Sequence, residues 1–370
     1  MKIGILTSSR ADYGIYLPLL EKLKLDSDIE LEIIAFGTHL SKSHGFTIVD
    51  ILKNNYLKIH QITSLVSDDS EESIVTSYGL TILKFSKFWE EHKYDLVFCL
   101  GDRFEMNAAI QAGIPFRVRF AHLHGGESTL GAIDNVYRHQ ITIASQLHFT
   151  AADVFSEKVI ELIGTSKNVY TVGSLSLDGI ETFHPIEKSV FYRKFNLPNA
   201  DFILATFHPE TIDIESNVNF AEEMRKALFE ISSKLMIVIT MPNADTLGSV
   251  FRDEILKLKE TIPQKIICIE NFGKQNYFSA MHYSKLLLGN TSSGILEAAS
   301  FGKYVVNVGN RQKGRLQSQN VINTKFEKNE MIEAVEKALG KKDFKGQNVY
   351  RKSGTANKII QIVKLYNETI

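Results

Sequence analysis

Apolar residues along this chain recur in two alternating spacings. Short β-branched or continuous apolar runs are followed by a polar turn and then by apolar positions three or four residues apart, the rhythm of strand, loop and helix. The opening, KIGILTSSRADYGIYLPLLEKLK, shows the pattern: a strand, a polar loop holding Arg10, Asp12 and Gly14, then Ile15, Leu19, Leu20 and Leu23 at helical spacing. ELEIIAF (30–36) and residues 57–62 read as further strands, separated by a polar loop that carries His39 and His44. Over 72–92, Ile74, Tyr78, Ile82, Phe85 and Trp89 form the apolar stripe of an amphipathic helix, core rather than cofactor site. Strands over 96–100 and 118–123, a helix over 136–144, a strand over 147–150 and a helix over 152–163 complete a βα alternation through residue 172. That is the pattern of a doubly wound parallel sheet.

The motif GSLSLDG (173–179) breaks the rhythm, which restarts at Asp201. The run FILATFHPET (202–211) and strands over 236–239, 265–269, 285–288 and 304–308 alternate with helices over 217–231, 250–259, 275–281 and 294–301. A polar loop over 309–320 and two helices, about 329–339 and 355–367, close the chain. The expectation is two α/β domains, 1–172 and 173–354, with a cleft between them suited to a substrate that spans both. A length of 370 residues supports the division, because single cores stop growing at about 250–300 residues.

Composition adds exclusions. The apolar share of 44% and charged share of 23% are those of an ordinary soluble globular protein. With 42 basic and 43 acidic residues there is no global field to attract nucleic acid or an anionic membrane, so neither is expected as a partner. Any anion must be met by local groups. Cys99 and Cys268 sit in the apolar runs LVFCL and KIICIE and read as buried thiols. The apolar stretch after Lys2 is too short for a signal peptide's core, and no membrane-length apolar run occurs, so the expected compartment is the cytoplasm.

Candidate chemistry concentrates in LGDRFEMNAAIQAGIPFRVRFAHLHGGESTLGAID (100–134), where Asp102, Arg103, His124, Glu127 and Asp134 fall just past strand ends. Ligands of open α/β sheets bind at the carboxyl ends of strands, so these charges are expected to share one crevice. Arg10 stands where a helix N-terminus would offer N–H groups to an anion, the alternative being a solvated turn residue. GNTSSGILE (289–297) follows a strand and opens a helix; Thr291 and Ser292 suit a phosphate, and Glu297 suits ribose hydroxyls. The alternative there is an ordinary N-cap with Glu297 solvated. Arg311 follows the next strand, His208 in FHPET ends another, and Asn243 and Asp245 in PNAD hold the equivalent place one unit on. A pyrophosphate met by Arg, His and a helix N-terminus is chemically coherent. His122 and His124 share a face if both lie on a strand, and Glu127 is near, but no further His or Cys cluster completes a metal site, so none is expected.

In this order SRADYG, GDRFE, HLHGGE followed by ID and YRH, FHPET, GNTSSGILE and GNRQKGR resemble the UDP-N-acetylglucosamine 2-epimerases, over nearly the whole chain. RADYG and GNRQKGR are closer to the hydrolysing branch. The resemblance implies an α/β fold of two Rossmann-like doubly wound parallel-sheet domains in a GT-B type arrangement, with the final helix (355–370) packing back on the first. It implies a UDP-sugar substrate, no cofactor, and a homodimer or homotetramer. It further implies conversion of UDP-GlcNAc and water into N-acetylmannosamine and UDP, by elimination of UDP and hydration of a glycal, feeding sialic acid (nonulosonate) synthesis. By the same resemblance Arg10, Arg103, His208, Asn243, Thr291, Ser292, Glu297 and Arg311 contact nucleotide or pyrophosphate. Asp102 and Asp134 match acid/base carboxylates, and Arg138 a partner one turn beyond Asp134. Where many members carry a catalytic glutamate this chain has His124, so the proton role falls to His124 or Glu127, and the sequence leaves both open. Other readings are a UDP-diacetylbacillosamine 2-epimerase, a non-hydrolysing 2-epimerase, a GT-B glycosyltransferase, and a catalytically silent nucleotide-sugar binder.

Overall fold

The computed structural model describes residues 1–42, 45–66, 70–128, 133–210, 213, 215–242, 248–270 and 272–368. The first apolar runs form strands β1 (Lys2–Thr7), β2 (Glu30–Phe36), β3 (Lys58–Ile62), β4 (Leu96–Leu100), β5 (Phe120–Leu123), β6 (Leu147–Thr150) and β7 (Val169–Thr171). They pair in parallel in the order β3-β2-β1-β4-β5-β6-β7. The later runs form β8 (Phe202–Thr206), β9 (Met236–Thr240), β10 (Ile266–Ile269), β11 (Leu287–Gly289), β12 (Val305–Val308) and β13 (Val321–Thr324). These pair in parallel in the order β10-β9-β8-β11-β12-β13. Both sheets are therefore doubly wound, and each reverses its winding once, between β1 and β4 and between β8 and β11. A crevice opens at such a switch point because the flanking loops leave in opposite directions.

The strands are apolar on both faces because helices cover both faces of a parallel sheet. In β1 and β2, Ile3, Ile5, Ile33 and Ala35 join one core cluster, while Leu6, Ile34 and Phe36 join the other. The second sheet repeats this, with Ile203 and Ala205 on one side and Phe202 and Leu204 on the other. The chain divides into two compact units, Met1–Glu127 with Ile133–Gly179 and Tyr350–Ile370, and a second built on Ile180–Val349. GSLSLDG thus lies in the first unit, where Leu175 packs with Leu19, Leu20 and Leu23. The final helix, Thr355–Glu368, buries Ala356, Ile359 and Val363 in that same cluster. Thr355 Oγ1 donates to the Val172 carbonyl at 2.8 Å, tying its start to the end of the first sheet.

Several expectations change. The short strands β7 and β13 were not foreseen, and they are half-exposed, so the buried apolar run that marks a central strand is missing. Asp12 and Gly14 belong to the helix Arg10–Leu25 rather than to a loop. The helix Glu71–Glu91 buries Ser73, Ser77 and Thr81 along its first half and Phe85, Phe88 and Trp89 along its second. Ile74 is exposed and Tyr78 half-buried, so the apolar stripe is core only from Phe85 onward. Tyr78 instead donates to Asn107 Oδ1 at 2.5 Å. Both cysteines are free; Cys99 is buried, which pushes its thiol up to about 12, while Cys268 on the edge strand β10 is only partly buried.

One buried carboxylate sits within β2. Burial alone would raise Glu32, but Tyr94 OH at 2.7 Å, His60 Nε2 at 2.7 Å and the Lys2 ammonium at 2.9 Å outweigh it and hold the group down to about 2. Among the described residues, no helix is long and apolar enough to cross a membrane.

Candidate active site

At the first switch point the loop after β1 leads into the helix Arg10–Leu25 through a capping box: Ser9 Oγ accepts from the Asp12 amide and the Asp12 carboxylate accepts from the Ser9 amide. The same carboxylate accepts from the Ser8 amide at 2.9 Å, Ser8 Oγ at 2.9 Å and Thr7 Oγ1 at 2.5 Å. Burial raises Asp12, and His39, Thr7 and Ser8 more than offset it, leaving the group below its usual range. The amides of Ser8 and Ser9 are therefore occupied by an internal anion. What this loop presents outward is the exposed side chain of Arg10.

The neighbouring loop, after β4, begins at Gly101 with φ +79° and continues through Asp102 to Arg103, the N-cap of the helix Phe104–Gly113. Arg103 makes a two-pronged pair with the buried Glu105, at 3.0 and 3.2 Å, which raises its already high pKa, yet its side chain remains 43% exposed. It is anchored at one edge and open at the other.

After β5 the chain turns sharply. His124 adopts φ +65° and leaves the strand, an uncommon conformation for a residue with a Cβ. Its amide donates to the Phe149 carbonyl at 3.0 Å and its carbonyl accepts from Arg138 Nη1 at 2.6 Å. Gly125 and Gly126 follow; Gly126 has φ +77° and passes so close to the Phe155 carbonyl that any Cβ would collide with it. The double glycine carries Glu127 back, and Glu127 Oε1 lies 2.6 Å from His124 Nδ1. Both side chains are buried.

His122 does something else. It is fully buried, with Nε2 2.9 Å from the Gly101 carbonyl and Nδ1 3.1 Å from Thr142 Oγ1, and burial pushes it down to about 3. The expectation that His122 and His124 share a face does not hold, because β5 ends at Leu123 and the left-handed turn redirects the second ring. Among the described residues no group of three or more His, Cys, Asp or Glu could hold a metal ion.

Asp134 opens the helix Asp134–Ala144, and Arg138 follows one turn later on its buried side. The Arg138 guanidinium pairs with Asp102 while also holding the His124 carbonyl, so one side chain joins two loops. Asp134 is raised, first by burial and then by the negative charge of Asp102, with Arg103 and Arg138 pulling the other way. Asp102, Arg103, His124, Glu127, Asp134 and Arg138 are thus gathered at one end of the first sheet.

The second unit builds its switch point from different material. Gly289, φ +131°, ends β11 where a Cβ would overlap the Thr206 carbonyl. Asn290, fully buried, then bridges to the loop after β8: its Oδ1 accepts from the His208 amide at 2.8 Å and its Nδ2 donates to the His208 carbonyl at 2.8 Å. Burial, and then the charge of Arg311, push His208 down to about 3, and its Nδ1 has no partner among the described residues. The Asn290 carbonyl accepts from Arg311 Nη1 at 3.3 Å and from Gln312 Nε2 at 2.8 Å. Glu210 Oε1 accepts from the Asn310 amide at 2.5 Å, so FHPET and GNRQKGR are tied to each other as well.

Thr291 is the N-cap of the short helix Ser292–Leu296 but makes no side-chain capping bond, and Glu297 at its end is buried rather than solvated. The ordinary N-cap alternative is therefore not what forms. Tyr277 OH and Ser293 Oγ, 2.6 Å apart, brace the turn from behind. Asn290, Gln312, Glu210 and Tyr277 were not singled out from the sequence; the first three lie inside the motifs, where only a fold could separate frame from ligand contact. Asn243 and Asp245 lie outside the described residues.

Carboxylates, an imidazole and arginines at one switch point, and arginine, histidine and hydroxyl side chains at the other, are carried by a Rossmann-like α/β protein of two doubly wound domains. The chain belongs to the UDP-N-acetylglucosamine 2-epimerase family, whose model matches residues 21–364. A GDP/UDP-N,N'-diacetylbacillosamine 2-epimerase (hydrolyzing) of Campylobacter jejuni is 32% identical, over 93% of this chain and 88% of its own. A UDP-N,N'-diacetylbacillosamine 2-epimerase (hydrolyzing) of Legionella pneumophila is 31% identical, over 98% of this chain and 95% of its own. The crystal structure of UDP-GlcNAc 2-epimerase from Neisseria meningitidis, bound to UDP-GlcNAc, superposes with a TM-score of 0.82 at 17% identity, covering 99% and 100% of the two chains. The protein is an enzyme of this family with a fold of the GT-B class.

Proposed function

We propose that this enzyme is a hydrolysing 2-epimerase of UDP-2-acetamido sugars, which releases UDP and the free 2-epimeric sugar. The observation that carries the reading is the set of titratable groups linked through Arg138, in a chain that is 32% and 31% identical to two relatives named as hydrolysing enzymes. Binding a diphosphate gives no reason to place Asp102, Asp134 and the His124–Glu127 pair together, whereas moving a proton on and off carbon does.

The C2–H beside an acetamido group is barely acidic, so departure of UDP leads. The C1–O bond breaks with its electron pair going to the diphosphate, the C2 proton passes to an enzyme base, and a C1=C2 glycal forms. Arg10, Arg103 and Arg311, with Thr291 and Ser292 at the helix start, stabilise the charge that grows on the leaving group. His208, neutral because it is buried, serves as a hydrogen-bonding partner, and Glu297 accepts from ribose hydroxyls; Asn243 and Asp245 complete the nucleotide contacts. Water then adds its hydroxyl to C1 and yields its other proton to the enzyme, while an enzyme acid protonates C2 on the opposite face. Groups of unequal acidity are needed for the two faces. Asp134, raised by burial and by Asp102, suits the acid of one face, and Asp102 and His124, linked through Arg138, are the groups from which the other face is served.

UDP-GlcNAc, giving N-acetylmannosamine for nonulosonate synthesis, is the substrate that the motifs imply. The names of the two relatives favour UDP-N,N'-diacetylbacillosamine as a second reading. Incubation with each sugar nucleotide in D2O, followed by proton and phosphorus NMR, tests both. Free 2-epimeric sugar carrying deuterium at C2, with one UDP per sugar, is the expected outcome. An accumulating UDP-linked epimer would make the enzyme non-hydrolysing, and no turnover without an acceptor would make it a transferase.

A further inference from the structure

We propose that His124 Nε2 is the atom that exchanges a proton at C2 on one face of the sugar, and that Glu127 is its positioning residue rather than a proton carrier. This rests on the 2-epimerase reading above and settles a choice that the residue types alone leave open.

Three observations converge on it. Glu127 Oε1 and His124 Nδ1 are 2.6 Å apart and both side chains are buried, so one edge of the imidazole is committed to the carboxylate. A neutral ring whose Nδ1–H is held by a carboxylate presents its lone pair at Nε2. Among the described residues Nε2 has no hydrogen-bond partner, so it is the edge left for a ligand. The main chain of His124 is clamped on both sides, by the Phe149 carbonyl at 3.0 Å and by Arg138 at 2.6 Å, which keeps a residue at φ +65°.

The glycines explain the spacing. Glu127 reaches a ring three residues back only if the intervening chain reverses within two positions. Gly126, at φ +77° and against the Phe155 carbonyl, allows that, as no residue with a Cβ would. Arg138 then links this histidine to Asp102, which puts an imidazole and a carboxylate on one rigid support. On the proposed path, the base on one face accepts the C2 proton as the C1–O electron pair leaves with UDP, and the acid on the other face returns a proton to C2 as water adds at C1.

The test is a double-mutant cycle on the full-length enzyme, read by UDP release, with His124→Gln, Glu127→Gln and the pair together. His124→Gln is expected to lower kcat by about 10³-fold. Glu127→Gln, which can still accept from Nδ1 but carries no charge, is expected to lower kcat by about 10- to 100-fold with KM within about 3-fold. The double variant should be no slower than His124→Gln alone, because Glu127 acts only through the ring. His124→Gly, which suits the left-handed backbone, should regain turnover when imidazole is added. If Glu127→Gln abolishes turnover in both backgrounds while His124→Gly stays near the parent rate, the roles are reversed and the proposal falls. A second readout does not need turnover: nitrogen-15 NMR of the His124 ring should show the Nδ1–H tautomer at neutral or higher pH and its loss in Glu127→Leu. An Nε2–H tautomer overturns the proposal. A parent enzyme that releases no UDP from either sugar nucleotide, yet shows the Nδ1–H tautomer, would instead count against the epimerase reading.

Discussion

The two switch points of this molecule are built on one plan and filled with opposite chemistry. In each, the fourth strand along the unit's winding ends in a glycine-marked turn beside the loop of the unit's first strand, and a short polar sequence leads into a helix. In the first unit that sequence is Gly101-Asp102-Arg103, and charge dominates: ion pairs, a clamped histidine and a carboxylate raised by burial and then by Asp102. In the second it is Asn290-Thr291-Ser292, and the frame is neutral: an asparagine holds two loops, Thr291 and Ser292 open a short helix, and arginine stands beside an uncharged histidine. A switch point determines where a ligand is met. What is done to the ligand depends on a handful of loop side chains.

The largest expected effect separates these roles. Asp102→Asn should cut kcat by about 10³-fold, since it removes a carboxylate of the proposed proton-transfer set while keeping the shape of the side chain. Its affinity for UDP should stay within about 3-fold, because the nucleotide contacts proposed for the second unit are untouched. Calorimetry with UDP and a turnover assay on the same preparation check both halves. Unchanged turnover would remove Asp102 from the chemistry, and a large loss of UDP affinity would erase the division between the two sites.

Next come the glycines that hold each turn closed. Gly289→Ala drives a methyl group into the Thr206 carbonyl and Gly126→Ala into that of Phe155; both contacts are with backbone, and neither strand nor helix can yield cheaply. Each is expected to destabilise its own unit by at least about 3 kcal/mol. Gly101, also at positive φ but with open space around its missing Cβ, should cost only about 1–2 kcal/mol as alanine. Thermal melts of the three variants rank them, and an equal shift for all three would show that φ alone, not the carbonyl contact, sets the cost.

How much of this was legible beforehand follows from the same geometry. Strand ends are readable from apolar runs, so Asp102, Arg103, His208, Thr291 and Arg311 could be placed at the right ends of the right strands before any coordinates. Contacts that depend on a reversal of the chain were not readable. His124 and Glu127 meet only because Gly125 and Gly126 allow a turn, and with a strand continued past Leu123 the histidine would point elsewhere. Apolar spacing alone leaves Asp12 in a loop; the Ser9-x-x-Asp12 spacing is a capping-box signature, and the carboxylate is occupied by its own backbone. Arg138 came only with the family resemblance, since an arginine one turn into a helix is usually solvated, and its burial depends on a partner 36 positions away.

A smaller effect tests the nucleotide side. Arg311 touches the Asn290 carbonyl and sits beside His208, so Arg311→Ala should weaken UDP binding by about 10- to 100-fold, the equivalent of about 1.4–2.8 kcal/mol. At saturating substrate kcat should fall less than kcat/KM. A variant that keeps UDP affinity but loses kcat would place Arg311 with the groups proposed for proton transfer and collapse the contrast between the two units.

The smallest effect per group concerns acid, and it too should differ between units. His122 and His148 in the first unit are pushed down to about 3 and about 4 by burial, and His208 in the second to about 3. An unfolded histidine takes up its proton near pH 6.5. The folded forms do so only near 3 or 4, so between those values the unfolded state binds more protons and stability falls as pH falls. Each such group contributes a slope of up to about 1.4 kcal/mol per pH unit. Glu32 in the first unit adds to this lower down: its folded value of about 2 lies under the unfolded 4.5, so the stability it provides is lost as pH drops from about 4.5 towards 2. Asp134 has the opposite sign, because a raised folded pKa lets the native state take its proton first and offsets part of the loss. Burial also lowers His282 in the second unit, but that unit's depressed glutamates lie in solvent-screened surface pairs such as Arg252 with Glu270. The first unit should therefore yield earlier on acidification. The only tryptophan in the chain, Trp89, is buried in the first unit, with Nε1 donating to the Ala109 carbonyl at 3.0 Å, so its fluorescence reports that unit alone. Acid titration should move tryptophan emission at a higher pH than the last of the helical circular dichroism is lost, and Glu32→Gln should flatten the fluorescence transition below about pH 4.5. Coincident transitions would mean that the two units unfold as one.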